Sequence, residues 1–108
     1  MQVELTERAR RALEALQPER EPGAAIEAVT LDALRSRLRE CLAEIGTFEA
    51  KYGCTFEERA REWESSRSHE AHAHSAERDY MEWEALTMER AEVLALLREL
   101  TAAPRAPV

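Results

Sequence analysis

The chain has 108 residues and a formal net charge of −7, which limits it to one small domain or a small domain with an arm. The acids concentrate in the second part, since residues 1–40 carry a net charge of −1 and residues 41–108 carry −6. Such an acidic surface disfavours nucleic acid as a ligand and favours a basic protein partner. No apolar run is long enough to span a bilayer, and residues 1–16 mix charged with apolar side chains. We therefore expect a cytoplasmic protein with no membrane contact.

Large apolar side chains are scarce for a chain of this length. Leu, Ile, Val and Phe together number 20, whereas Ala alone numbers 19. Alanine supports helices but buries little surface, so a monomer has little stabilising energy to spare. We therefore expect self-association as a homodimer, or order that depends on a partner. Cys41 and Cys54 have neither metal-ligand spacing nor a nearby cysteine, which predicts two reduced thiols that fill apolar space.

The most regular feature is a row of seven apolar residues at alternating spacings of three and four. This row predicts one long helix over about residues 24–52, with Gly53 at its end and a bend near residues 30–32 left open by two β-branched residues. Such a helix would be about 43 Å long and must pack on another helix of this chain, of a second copy or of a different protein. We call the row the apolar seam: Leu31, Leu34, Leu38, Cys41, Ile45, Phe48 and Tyr52.

Three further helices are indicated by capping residues and breakers. Thr6 is a good N-cap for a helix over about residues 7–16, which proline and glycine then end. Thr55 and Glu58 have the spacing of a capping box, which predicts a sharp corner and a short helix over about 56–63. Ser75 is the predicted N-cap of a last helix over about 76–102.

These elements predict an all-α fold built on a hairpin of the two long helices. A short helix lies at the corner, and an N-terminal helix or arm precedes the hairpin. The alternating residues Val3 and Leu5 leave open a short ribbon strand before that arm. The predicted organisation is an arm over residues 1–22, a hairpin domain over 23–102 and a disordered tail over 103–108.

Signals for catalysis or for a cofactor are absent from the sequence. His69, His72 and His74 are the only cluster of metal-ligand type, but spacings of three and two do not place them on one helical face. They predict a solvated linker and no metal site. A Gly-rich phosphate loop, a nucleophile elbow and a zinc-binding helix motif are all missing, so we expect a non-enzymatic protein without a cofactor.

The aromatic residues gather around the predicted corner and on the helix that faces it. Tryptophan and tyrosine serve either as core residues or as anchors at a protein interface. Methionines beside them offer an adaptable apolar surface. The predicted corner core is Phe48, Tyr52, Phe56 and Trp63, and the predicted partner-binding residues are Tyr80, Met81, Trp83, Glu84 and Met88.

Two segments resemble a known group of proteins. FEAKYGCTFEE at 48–58 and ERDYMEWEAL at 77–86 are similar to the KYG corner, FEE restart and DYxEWE segment of short bacterial and archaeal proteins. These are regarded as antitoxin-like members of toxin–antitoxin pairs. The resemblance implies a partner that is a basic toxin of the ribonuclease class, whose active surface would be masked sterically and electrostatically.

The N-terminal third separately resembles a degenerate ribbon-helix-helix unit, with a strand over 3–5 and helices over 7–16 and 23–38. That resemblance implies a dimer whose strand residues Gln2 and Thr6 contact DNA. Glu4 departs from the basic or amide residue expected between them, and the net charge of −1 over residues 1–40 gives little attraction to phosphates. The alternatives to a toxin-binding protein are therefore a homodimeric coiled-coil or scaffolding protein and a DNA-binding repressor.

Overall fold

The computed structural model describes residues 4–65 and 74–102, and within these ranges the fold is all-α, which confirms the predicted fold class. None of the helices in these ranges combines the length and the apolar character needed to cross a membrane. Four helices follow one another along the chain: α1 (Glu7–Leu16), α2 (Pro22–Tyr52), α3 (Phe56–Ser65) and α4 (His74–Thr101).

The two long helices form the predicted hairpin. α2 packs along α4, whereas α1 packs on α2 and α3 packs on α4. Lys51, at the end of α2, donates a hydrogen bond to Asp79, near the start of α4. At the other end, Leu34 of α2 and Leu100 of α4 line the same groove. The two helices therefore run antiparallel, with α3 at the corner between them.

The corner is fixed by local capping, as the sequence predicts. Gly53 has φ of +68°, and its N–H donates to the carbonyl oxygen of Glu49 at 2.7 Å. Glycine reaches this left-handed conformation without the cost that a side chain adds. The N–H of Thr55 donates to Glu58 Oε1, and the N–H of Glu58 donates to Thr55 Oγ1, both at 3.2 Å. These reciprocal bonds confirm the capping box that starts α3.

The start of α4 differs from the prediction. The helix begins at His74, so Ser75 lies inside its first turn and is not the N-cap. His69 and His72 lie outside the described residues. Ser75 therefore lies one residue inside the described helix, a difference of the size by which helix boundaries ordinarily vary.

The N-terminal part decides two points that the sequence left open, a bend in α2 and a strand at residues 4–6. α2 begins at Pro22, capped by the Glu21 carboxylate, and continues without interruption through the β-branched residues. Thr30 Oγ1 donates to the carbonyl oxygen of Ile26 at 2.8 Å, which lets its side chain sit within the helix. Residues 4–6 form no strand, and residues 1–3 of the proposed ribbon lie outside the described residues.

The core is small and lies toward the corner. Its centre is formed by Cys41 and Trp83, both with no exposed surface, and by the buried side chains of Ile45 and Leu86. The residues packed around this centre are Phe48, Tyr52, Cys54 and Phe56. The apolar seam therefore packs within the chain, against α4, in its C-terminal half.

The helix α1 has a much weaker attachment. None of its ten residues is buried, and Leu16 at its end is 66% exposed. An isolated helix of this length is marginal in water, so its stability depends on the contact with α2. The Thr6 hydroxyl accepts a hydrogen bond from the N–H of Ala9 at 3.1 Å, which confirms Thr6 as the N-cap.

Candidate protein-binding surface

Three of the four predicted corner aromatics, Phe48, Tyr52 and Phe56, pack around one side chain of α4, Trp83. The ring centroids of Phe48 and Tyr52 each lie 5.7 Å from the Trp83 ring in stacked geometry. Phe56 meets the same indole edge-on at 5.6 Å. Such pairs add specific ring–ring attraction to the apolar burial, so this cluster holds the two long helices and α3 together.

Tyr80 and Trp63 form the outer part of this cluster. Their rings stack with centroids 4.5 Å apart, and Phe56 lies 5.3 Å from Tyr80. Tyr80 is half-buried by these contacts, whereas Trp83 is fully buried. The assignment of Trp83 to partner contact is therefore corrected, since a side chain without exposed surface acts in the core.

A polar network closes the corner on its outer side. Asp79 Oδ2 accepts hydrogen bonds from Lys51 Nζ and from Tyr52 Oη, both at 2.5 Å. These bonds hold the pKa of Asp79 below its usual range, and the bond to Asp79 raises the pKa of Lys51. Burial, followed by the bond to Asp79, raises the pKa of Tyr52. The Arg59 guanidinium lies 4.6 Å from the Tyr52 ring centroid, which adds a cation–π contact.

The most distinctive open surface is a furrow between α2 and α4, with a volume of about 670 Å³. Its lining includes the exposed carboxylates of Glu44, Glu82 and Glu92 and the half-buried carboxylate of Glu89. Arg37 is the one cation in this lining, and Leu86 and Met88 supply apolar surface. We call this surface the acidic groove: Arg37, Glu44, Glu82, Ala85, Leu86, Met88, Glu89 and Glu92.

The single cation of the acidic groove is already paired. Arg37 Nε donates to Glu89 Oε1 at 2.8 Å, Arg37 Nη2 donates to the other Glu89 oxygen, and Nη1 donates to Glu40 at 2.8 Å. The bond from Arg37 lowers the pKa of Glu89, and the bond to Glu89 raises the pKa of Arg37. Burial raises the pKa of the Cys41 thiol, whose sulfur lies 3.5 Å from Glu89. The pair joins α2 to α4 and leaves the other groove carboxylates without a cation in the groove lining.

A row of apolar side chains runs along α4 at the acidic groove, where Ala85 and Met88 belong to the lining and Met81 lies on the same helical face. Met81 and Met88 are seven residues apart, so they share a helical face, and each is 68% exposed. Ala85 lies between them and also lines the groove. Glu84 is exposed on the same helix. The structure thus combines carboxylates and adaptable methionines on one open surface, a combination suited to a partner with basic and apolar side chains.

The structure gives less information on the histidines of the metal-ligand type and on the predicted DNA-contact residues. Among the described residues, no cluster of three His, Cys, Asp or Glu side chains could hold a metal ion, and His74 is exposed at the start of α4. Gln2 lies outside the described residues. The Thr6 hydroxyl is engaged in capping α1, so its DNA contact stays a prediction.

The sequence reasoning missed the pair of Arg37 and Glu89 and the groove that it crosses. A signal was present, because Glu82, Glu89 and Glu92 recur at helical spacings. The sequence alone does not place these glutamates beside α2, since that position depends on how the two helices align.

No protein-family model matches this chain, and neither a curated protein nor a solved structure does. The resemblance to antitoxin-like proteins therefore rests on residues 48–58 and 77–86 alone.

Proposed function

We propose that this chain is a non-enzymatic protein-binding module that covers a basic surface of another protein. The observation that carries the proposal is the acidic groove, where four glutamates meet one arginine that is already paired. An open surface with this charge balance attracts lysine and arginine side chains and repels a second acidic chain. The sequence resemblance supplies the class of partner, a basic ribonuclease toxin that the module would keep inactive.

The proposed mechanism combines attraction at a distance with close apolar contact. A net charge of −7 accelerates encounter with a basic protein, and this acceleration weakens as salt concentration rises. Met81 and Met88 then supply exposed apolar surface that adapts to the shape of the partner. The buried aromatic cluster contributes indirectly, because it fixes α4 against α2 and so fixes the shape of the groove.

The direct test mixes the purified chain with the product of an adjacent gene that encodes a small basic protein. We expect a complex at micromolar concentration, with protection of cells when the two genes are co-expressed. Absence of a complex, together with absence of protection, would refute the proposal.

Paired substitutions locate the contact. Met81→Lys and Met88→Lys place positive charges where a basic partner should lie, so each should weaken binding. Leu42→Lys is the matched control, because Leu42 is 48% exposed on α2 and does not line the acidic groove. Equal weakening by Leu42→Lys would show that the partner binds elsewhere.

The second candidate is a homodimeric scaffold, and the exposure of α1 favours it. Leu16 is 66% exposed, and α1 has no buried residue, so a second copy would cover apolar surface there. Sedimentation equilibrium should then show a dimer that Leu16→Glu dissociates. A dimer that also survives Leu38→Glu would show that the apolar seam is not the contact. A chain that stays monomeric across the concentration range removes this candidate.

A further inference from the structure

A second groove continues the acidic groove toward the open end of the hairpin. It has a volume of about 320 Å³ and is lined by Thr30, Leu34, Leu96, Glu99 and Leu100. It lies between the same two helices. We call it the apolar groove, after its three leucines.

The lining of the two grooves follows a single row on α4. Residues that line them recur at spacings of three and four, which places them on one helical face. The row is Glu82, Ala85, Glu89, Glu92, Leu96 and Glu99.

The residues of α2 that line the two grooves also lie on one helical face. Thr30, Leu34, Arg37 and Glu44 are separated by four, three and seven residues, so they also lie on one face. Because α2 and α4 run antiparallel, low numbers on α2 meet high numbers on α4 in the apolar groove. The two grooves are therefore consecutive parts of one furrow, which we call the α2–α4 furrow.

The dimensions and chemistry of this furrow match one helix. From Glu82 to Glu99 the furrow extends along about 26 Å of α4, the length of a helix of about 17 residues. Leucine and methionine side chains line it, and glutamates stand on α2 and on α4. A third helix that packs between two others meets both kinds of surface at once, with its apolar stripe inward and its flanks beside the two rows.

We propose that the α2–α4 furrow binds a single basic amphipathic helix of the partner protein, which completes a three-helix bundle. This inference rests on the proposed function and specifies what the partner inserts. The apolar stripe of the inserted helix contacts Leu34, Met88 and Leu96. Its lysines and arginines lie beside Glu44 on one flank and Glu92 and Glu99 on the other.

The charge of the furrow argues against a second copy as the occupant. Docking the furrow of one copy against that of another would place glutamates opposite glutamates, which is unfavourable. Residues 41–108, which contain all of α4, carry a net charge of −6. A different, basic chain removes this repulsion.

The test uses the full chain and a synthetic probe. The probe is a fluorescein-labelled helical peptide of 21 residues with leucine at heptad positions a and d and lysine or arginine at e and g, a length chosen to exceed the roughly 17 residues of the furrow. The comparison peptide has the same composition with its leucines redistributed around the helix. We expect fluorescence anisotropy to show micromolar binding of the first peptide and about tenfold weaker binding of the second, since only the first presents an apolar stripe.

Charge reversals in the furrow provide the second arm. Glu82→Lys with Glu92→Lys should weaken peptide binding about tenfold, because each change replaces an attraction with a repulsion. The matched control is Glu49→Lys with Glu64→Lys, which makes the same change of net charge at exposed residues outside the furrow lining. Equal weakening by both pairs would overturn the proposal, since binding would follow net charge alone.

Two further outcomes separate this inference from the proposed function. If the natural partner binds the wild-type chain and the Glu82→Lys, Glu92→Lys variant equally well, the chain is still a protein-binding module, but the acidic groove is not its contact surface and the helix in the furrow is refuted. If sedimentation shows a dimer that the furrow variant alone dissociates, a second copy occupies the furrow, which also refutes the proposal. Nuclear magnetic resonance shifts confined to the α2–α4 furrow on peptide addition would support it.

Discussion

Replacing Trp83 tests how far the hairpin depends on the aromatic cluster. The side chain has no exposed surface and contacts three aromatic rings, so truncation to alanine leaves a cavity between α2 and α4. Burial losses of this kind cost about 3–5 kcal/mol, against about 5–15 kcal/mol for the total stability of a natural domain. With so few buried residues, we place this chain near the lower limit, so Trp83→Ala should leave it only marginally stable, with about 0–2 kcal/mol remaining.

A second variant keeps this prediction measurable if the first does not fold. No described residue accepts a hydrogen bond from Trp83 Nε1, so substitution by phenylalanine removes a buried donor without breaking a bond. We expect Trp83→Phe to cost only about 1–2 kcal/mol, because relief of the unpaired donor offsets part of the lost volume.

Thermal unfolding followed by circular dichroism measures both changes. At roughly 4 °C or more per kcal/mol for a chain of this size, Trp83→Ala should lower the Tm by at least about 12 °C. Trp83→Phe should lower it by much less. Equal losses for the two variants would refute the reasoning, since they would show that the indole N–H makes a stabilising bond in the folded chain.

Three further predictions concern the corner. Gly53→Ala should lower the free energy of unfolding by about 1–2 kcal/mol in urea titrations, because alanine is strained at φ of +68°. Gly46→Ala, inside α2, is the control and should stabilise the chain slightly. A loss of stability in both variants would show that lost packing, and not backbone strain, causes the effect at Gly53. Thr55→Ala should cost about 1 kcal/mol by removing the capping box, and an unchanged Tm would show that the cap contributes nothing. The pKa of Asp79 is lowered in the folded chain, so the stabilisation that its carboxylate provides is complete above its unfolded pKa of about 3.9 and is lost as pH falls through the folded value. Asp79→Asn should remove that part of the acid dependence of Tm. Identical profiles of Tm against pH for the wild-type chain and the variant would contradict the network.

The features that sequence reasoning predicted are those encoded by neighbouring residues. The spacing of the apolar seam is sufficient for a long helix, and Gly53 and Thr55 mark its end and the next start. These signals act within one or two helical turns. Ser75 lies one residue inside α4, a difference within the one or two residues by which helix boundaries vary.

The features that sequence reasoning missed depend on how two distant helices align. Whether Trp83 faces the core or a partner is set by the rotation of α4 against α2, which no local pattern specifies. The pairing of Arg37 with Glu89 likewise joins residues 52 positions apart. Apolar periodicity does not predict the α2–α4 furrow, because the row of α4 residues that lines it consists mostly of glutamates.

The division of the hairpin into a packed corner and an open furrow determines how binding data should be interpreted. The corner holds the buried aromatics and the network at Asp79, so substitutions there act on stability and alter binding only by changing how α4 sits on α2. Substitutions at Met88 or Glu92, which are exposed, should alter binding with little change in Tm. A variant that loses both together therefore reports on the fold, and only a loss of binding at unchanged Tm identifies a residue that touches the partner.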